Sequence, residues 1–282
     1  MLSWSLLSAS THPTLAVGLG ICVVIALLAW QAGALSGSGA LAATVAGTAA
    51  LNAGWSWGLF LVTWFVAASL LSRLKDPGTG RHAPQSANRH KAGHSRRSAW
   101  QVLANGGAYL ALALVFPFFP TQADFLATLA AASLAAAGAD TTATEVGTRW
   151  GGAPFSIRLG RRTEKGLSGS VTLVGSMALI LGAVVFALLA GATGLVRLEP
   201  RVMLILVAAG IIGSAVDTVL GAFLQERRVC LKCGKQTEQQ RHDCGGATRA
   251  DGGLSWMTND TVNLLCTLSA VIAAAIPAIL HT

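Results

Sequence analysis

The chain has 282 residues and a net charge of +8, yet only 11% of its side chains are charged, against about 25% in a soluble protein. Long unbroken apolar runs exclude a soluble globular enzyme, and the lack of short alternating segments excludes an outer-membrane β-barrel. The excess positive charge does not mark a nucleic-acid binder, because nearly all of it falls in three loops between apolar runs, where it fixes orientation in a bilayer.

Backbone polar groups in lipid must satisfy each other, so each apolar run predicts a helix. Eight spans follow in chain order, at about 14–33, 35–53, 54–72, 99–119, 122–146, 168–191, 202–224 and 257–280, each near the roughly 20 residues needed to cross the hydrocarbon. The first is preceded by His12 but by no Lys or Arg, so it lacks the basic start of a cleaved signal and reads as a retained helix. The second is rich in Gly, Ala, Ser and Thr, and fits either a tightly packed helix or a re-entrant segment. The organisation expected is an all-α polytopic membrane protein with N-terminal helices over 1–72, a basic loop over 73–98 and a membrane core over 99–224. A zinc-binding loop over 225–256 and a last helix over 257–282 complete it.

The first basic loop carries Arg73, Lys75, Arg81, Arg89, Lys91, Arg96 and Arg97, the second Arg149, Arg158, Arg161, Arg162 and Lys165. The third carries Arg227, Arg228, Lys232, Lys235, Arg241 and Arg249. These are the third, fifth and seventh connections, so alternating helices put all three on one side, and of the 20 Lys and Arg only Arg197 and Arg201 fall on the other. The basic side is then cytoplasmic and both termini face outward, in what the composition suggests is a bacterial inner membrane. The first loop also holds His82, His90 and His94, and fits a flexible solvated segment or one that binds phosphate or anionic lipid.

Acidic and amide side chains inside spans are costly and mark candidate sites. Asp140 and Glu145 fall near the end of the fifth span, Asp217 near the end of the seventh, and Asn105 and Asp260 at the starts of the fourth and eighth. At 1.5 Å per residue Asp140 lies about 27 Å along its helix and Asp217 about 22 Å along its own. All four helices therefore bring a polar side chain to the cytoplasmic end, where they could build one cation-binding chamber. Asp260 and Asn263 share a face at i, i+3, whereas Glu145 is about 140° from Asp140 and could pair with an Arg instead. The competing explanation is a set of interfacial residues that are wetted or cap helices.

Ahead of the sixth span lies Gly160-Arg161-Arg162-Thr163-Glu164-Lys165-Gly166-Leu167-Ser168-Gly169-Ser170. Gly166, Gly169 and Ser170 would let backbone amides approach an anion, and Arg161, Arg162 and Lys165 add charge. The spacing is not that of a Walker loop, and a basic turn also serves topology. Cys230-x-x-Cys233 followed by His242-x-Cys244 suits one tetrahedral zinc with four protein ligands, hence a structural one. A reducing cytoplasm favours metal over a disulfide there.

Several of these motifs together resemble a known family. Val102-Leu103-Ala104-Asn105-Gly106-Gly107, Ala139-Asp140-Thr141 with Glu145 and Gly147, and Gly169-Ser170-Val171-Thr172-Leu173-Val174-Gly175 form its first part. Cys230-x-x-Cys233-Gly234-Lys235 with Thr237, Glu238, His242 and Cys244, then Asn259-Asp260-x-Val262-Asn263, form its C-terminal signature. The order of motifs, from about Arg96 to the end, resembles the integral-membrane family called domain of unknown function ninety-two, whose members include a human transmembrane protein and the plant phytyl-phosphate kinase. The Asp140 motif and the 166–170 turn also look like those of dolichol kinases, phytol kinases and phosphatidate cytidylyltransferases, which use cytidine nucleotides on membrane lipids.

The resemblance implies a magnesium- and nucleotide-dependent kinase that converts an isoprenyl monophosphate to its diphosphate, with CTP or another nucleoside triphosphate as donor. Asp140, Asp217, Asp260 and Asn263 would hold magnesium, with Asn105 and Glu145 in the same catalytic set. Arg161, Arg162, Lys165, Gly166, Gly169 and Ser170 would cradle nucleotide phosphates, and Arg96 or Arg97 the lipid phosphate. The alternatives are a transporter or channel using Asp140, Asp217 and Asp260 as a cation site, and a lipid cytidylyltransferase. The lipid tail, the nucleotide base and the oligomeric state are not legible.

Overall fold

The computed structural model describes residues 15–73, 96–163, 165, 167–242 and 244–279. Lys75, Arg81, Arg89, Lys91 and the three histidines of the first basic loop lie outside the described residues, as does Gly166. Among the described residues there are eight α-helices, one at each apolar run. They are α1 (Leu15–Gln31), α2 (Gly37–Ala53), α3 (Trp55–Ser72), α4 (Ala99–Val115), α5 (Ala123–Trp150), α6 (Leu173–Ala192), α7 (Pro200–Phe223) and α8 (Asn259–Ile279). The last six are long and apolar enough to cross a membrane. α1 and α2 have 17 residues each, about 26 Å of helix, somewhat less than the roughly 30 Å of hydrocarbon.

The helices start and stop where the sequence supplies the chemistry. Ser36 caps α2 by accepting from the Gly39 amide, and Ser98 caps α4 in a capping box with Gln101. Pro117 and Pro120 cannot continue a helix, so the α4–α5 connection is two 3-10 turns, Phe116–Phe118 and Pro120–Gln122.

α5 is the axis of the bundle. It is the least apolar of the six long spans and the most buried, with α3, α4, α6, α7 and α8 packed around it. A helix enclosed by other helices needs small side chains more than greasy ones. Ten of the sixteen buried residues of α5 are therefore Ala or Gly, nine of them between Ala127 and Ala139, which lets its partners approach. The Phe186 ring of α6 fills the space beside Gly138, and Thr142 fills that beside Gly182. Large apolar side chains such as Leu173, Met177, Leu181, Leu204 and Ile272 point outward, as lipid contact requires. α2 packs against α1, α3 and α4 on one flank of the bundle.

Several boundaries differ from the sequence reading, and two of the shifts bear on the site. α5 runs past Val146 to Trp150, carried by the i, i+4 pair of Glu145 with Arg149. α6 begins at Leu173 rather than Ser168, because Thr172 caps it by accepting from the Gly175 amide and the residues before it form a turn and a strand. The second and third basic loops each hold a small antiparallel sheet. In the α5–α6 loop β1 (Phe155–Ser156) lies between β2 (Arg161–Arg162) and β3 (Ser170–Val171). In the α7–α8 loop β4 (Arg227–Cys230) lies between β5 (Gln236–Thr237) and β6 (Thr248–Gly252). Period-two patterns of two to five residues are too short to read against the long apolar runs.

Candidate functional site

Residues from three connections and six helices meet at one end of the bundle around a polar cavity of about 420 Å³. Arg97 comes from the α3–α4 connection, Lys165 and Ser168 from the α5–α6 loop, and Glu238 from the α7–α8 loop. The three basic connections therefore share an end. α4 contributes Gln101 and Asn105, α5 Asp140, Thr144 and Glu145, α7 Ser214 and Asp217, and α8 Asn259 and Asn263.

The floor is an acid pair. Ser214 Oγ donates to Asp140 Oδ1 at 3.0 Å across the α5–α7 contact. Asp217 stands three residues after Ser214, one turn along the same helix face. Its Oδ2 is buried and has no hydrogen-bond partner. The threonines beside Asp140 do not neutralise it, since Thr141 and Thr142 each donate to carbonyls one turn back, at 2.7 Å. Asn105 donates its Nδ2 to the Gln101 carbonyl at 3.0 Å.

The turn of residues 168–170 lines the same cavity. Gly169 has φ +71° and lies so close to α7 that a Cβ there would meet Ala222 Cα and N at 2.3 and 2.4 Å. Only glycine permits both the left-handed backbone and this approach. The turn thus rests on α7 and presents Ser168 and Ser170 to the cavity. Ser170 Oγ is buried without a partner, and Lys165 Nζ donates to the Thr148 carbonyl at 2.7 Å on the cavity wall.

Arg97 closes the side formed by α4. Its guanidinium lies 5.5 Å from the centre of the Phe65 ring, and burial lowers its pKa while the Glu145 carboxylate acts the other way. Glu145 itself is ion-paired with Arg149, which also donates to the Ser72 carbonyl.

Some predicted site residues fall elsewhere. Asp260 is not on the cavity wall: Asn259 and Asn263, four residues apart, take that face of α8, and Asp260 is turned about 100° from Asn259. Arg161 and Arg162 are exposed on β2, the edge strand two positions from β3, and do not reach the cavity. Arg96 stacks at 6.0 Å on the Trp30 ring, away from it.

A second cluster lies in the α7–α8 loop. Cys230, Cys233, His242 and Cys244 bring their ligand atoms within 4.8 Å of one another and could hold a metal ion such as zinc. Cys230 Sγ is 3.5 Å from Cys244 Sγ, which is 3.7 Å from Cys233 Sγ. His242 Nδ1 is 3.4 Å from Cys233 Sγ and 3.2 Å from Cys244 Sγ. Among the described residues no other group of three or more His, Cys, Asp and Glu converges so, and the three span aspartates do not form a second cluster.

The two sites are joined by Glu238, just past β5, which accepts from the Ser168 amide at 3.2 Å and from Ser168 Oγ at 2.5 Å. The loop that carries the Cys/His cluster therefore grips the turn that lines the cavity. Glu238 stands in the family motif, but sequence reasoning gives it no role, because its partner is 70 residues away. Ser214, Gln101 and Asn259 were also missed. The i, i+3 spacing of Ser214 and Asp217 was the one available signal.

Comparison with known proteins agrees with this architecture. The profile of the family described as integral membrane protein DUF92 matches residues 20–271, and the chain belongs to that family. Over 217 residues it is 26% identical to an uncharacterized membrane protein of Methanocaldococcus jannaschii, covering 76% of this chain and 84% of the relative. No solved structure matches it.

Proposed function

We propose that this DUF92 member is a magnesium- and nucleotide-dependent kinase that adds a phosphoryl group to an isoprenyl monophosphate. The observation that carries the reading is one cavity lined both by an acid pair and by a basic, glycine-containing turn. Each of the two holds an orphaned buried oxygen, Asp217 Oδ2 and Ser170 Oγ. Buried polar atoms without partners are rare and want a ligand.

The donor set fits a hard cation. Asp140, Asp217 and Asn263 offer carboxylate and amide oxygens suited to magnesium; Asp260 is outside this set. Magnesium, when bound, supplies neutralisation of the phosphate oxygens. Lys165, the 168–170 turn and Ser170 hold the phosphates of the donor nucleotide, CTP or ATP. Arg97 holds the phosphate of the acceptor lipid. An oxygen of the acceptor phosphate then bonds to the γ-phosphorus while the bond from that phosphorus to the β-phosphate oxygen breaks. The nucleoside diphosphate leaves with the electron pair. Such a transfer needs positioning and charge neutralisation above all, and those are what the acid pair, the turn and the basic side chains of the cavity supply.

The Cys/His cluster is read as a structural zinc site. A tetrahedron with Zn–S bonds of about 2.3 Å has sulfur–sulfur edges of about 3.8 Å, close to the 3.5 and 3.7 Å found. Four protein ligands leave no open position for chemistry. The polar end is read as cytoplasmic in a bacterial plasma membrane, because among the described residues it gathers every Lys and Arg but Arg197 and Arg201.

Purified protein incubated with γ-labelled CTP or ATP and a panel of isoprenyl monophosphates should move label into the lipid extract as a diphosphate. Release of pyrophosphate with the nucleotide attached to lipid identifies a cytidylyltransferase instead. The orphaned Asp217 oxygen deep in α7 also suits a cation pathway. No transfer, together with cation flux in proteoliposomes, makes the protein a transporter.

A further inference from the structure

A second cavity, of about 120 Å³, lies beside the polar one between α1, α2, α3 and α4. Its walls include Ala26, Ala46, Trp64, Phe65, Val102 and Gly106. The two cavities share four lining residues, Arg97, Gln101, Asn105 and Thr141, so the apolar one adjoins the polar chamber along a common wall. Gly106 is buried, yet a Cβ built on it would meet nothing within 4 Å. Interiors are normally filled to crystal-like density, so a buried glycine facing open space keeps room for something. The apolar lining disfavours water, which needs polar partners.

Arg97 stands at the junction with its backbone clamped. Its amide donates to the Ala34 carbonyl at 3.0 Å, and its carbonyl accepts from the Ser36 amide at 3.1 Å. A side chain at Gly39 would collide with that carbonyl, so the start of α2 is fitted to it. The guanidinium packs on Phe65, and among the described residues it has no carboxylate within ion-pair distance. A fixed cation between a polar and an apolar cavity matches a molecule with a phosphate at one end and a hydrocarbon tail at the other.

We propose that the α1–α4 cavity is the slot for the start of the hydrocarbon tail of the lipid phosphate, entered from the polar chamber past Arg97 and kept open by Gly106. This rests on the lipid-phosphate reading above and names where the start of the tail is recognised. α1 and α2, too short to be secure spans, then serve as the outer wall of the slot.

The test is equilibrium binding to the full-length protein in detergent, without nucleotide, of dimethylallyl, geranyl and geranylgeranyl monophosphate, with inorganic phosphate as the tail-free probe. A cavity of about 120 Å³ has room for about the first isoprene unit, so affinity should rise at least about tenfold from inorganic phosphate to dimethylallyl monophosphate and little beyond it. Gly106→Leu and Ala46→Phe should abolish that rise while leaving inorganic phosphate within about twofold of wild type. Arg97→Gln should weaken all three lipids by a similar factor, about tenfold. A wild type that binds dimethylallyl monophosphate no better than inorganic phosphate, or variants that keep the rise, overturns the proposal. Should both narrowing variants fail to fold, wild-type protein can be photolabelled with a geranylgeranyl phosphate that carries a diazirine in its first isoprene unit. Label on α1, α2 and α4 supports the slot, and label confined to the outer faces of α6 and α7 overturns it. Tail-dependent binding with no phosphoryl transfer from any nucleotide sinks the kinase and leaves the slot standing.

Discussion

Gly169→Ala tests how the turn of residues 168–170 is held. The backbone there has φ +71°, a conformation that costs an L-residue about 1–2 kcal/mol. The new methyl also lands 2.3 Å from Ala222 Cα and 2.4 Å from Ala222 N, atoms of the α7 backbone that cannot rotate away. Overpacking of that kind costs about 1–3 kcal/mol, so the two effects together reach about 2–5 kcal/mol. Gly160→Ala is the matched control: φ is +61°, but nothing lies within 4 Å of its Cβ, so only the first cost of about 1–2 kcal/mol applies. Thermal unfolding in detergent should show a clearly larger drop in Tm for Gly169→Ala than for Gly160→Ala. Nucleotide affinity should fall in Gly169→Ala alone, because the turn either melts or shifts with Ser168 and Ser170. Equal Tm values for the two variants, with wild-type nucleotide affinity in both, would refute the argument that close approach to α7 positions this turn.

Three further outcomes are expected. Elemental analysis of protein purified without chelator should find about one zinc per chain, lost in Cys233→Ser together with stability of the α7–α8 loop in hydrogen exchange. Lys165→Ala should raise the KM for nucleotide about two- to fivefold with kcat little changed, because an exposed point charge on phosphate is worth little; an unchanged KM removes Lys165 from the phosphate site. Accessibility labelling of single introduced cysteines should place the α5–α6 and α7–α8 loops on the cytoplasmic side and the α4–α5 and α6–α7 connections outside, and the reverse pattern inverts the topology.

The helices were legible because lipid leaves few choices. Apolar runs near span length can only be helices, and all eight stand where the runs are. The Cys/His cluster was legible because its four ligands fall within 15 residues, Cys230 to Cys244, so that local spacing sets the geometry. The cavity was legible in outline. Depth along a helix follows from residue counting, and counting brings Asn105, Asp140 and Asp217 to one level. Rotation about the helix is less certain, since an error of one residue turns a side chain by about 100°; that is why Asp260 was assigned the face that Asn259 and Asn263 occupy. Arg161 and Arg162 were misplaced for a different reason. Charge next to a glycine-rich turn suggests anion binding, but a two-residue edge strand carries both side chains away from it. The contact of Glu238 with Ser168 joins loops 70 residues apart and has no local signature.

The central claim is that the Asp140 carboxylate serves chemistry rather than packing. Asp140→Asn removes one negative charge from the acid pair but keeps an oxygen able to accept from Ser214, so the fold should survive. The direct measurement is specific activity in the folded fraction, as label moved from nucleotide to isoprenyl monophosphate by Asp140→Asn and by wild type at equal Tm. The account predicts a loss of at least about 100-fold, the size expected when a charge-stabilising group leaves a phosphoryl-transfer site. Full transfer activity in Asp140→Asn, or a lowered Tm with specific activity intact, would contradict it.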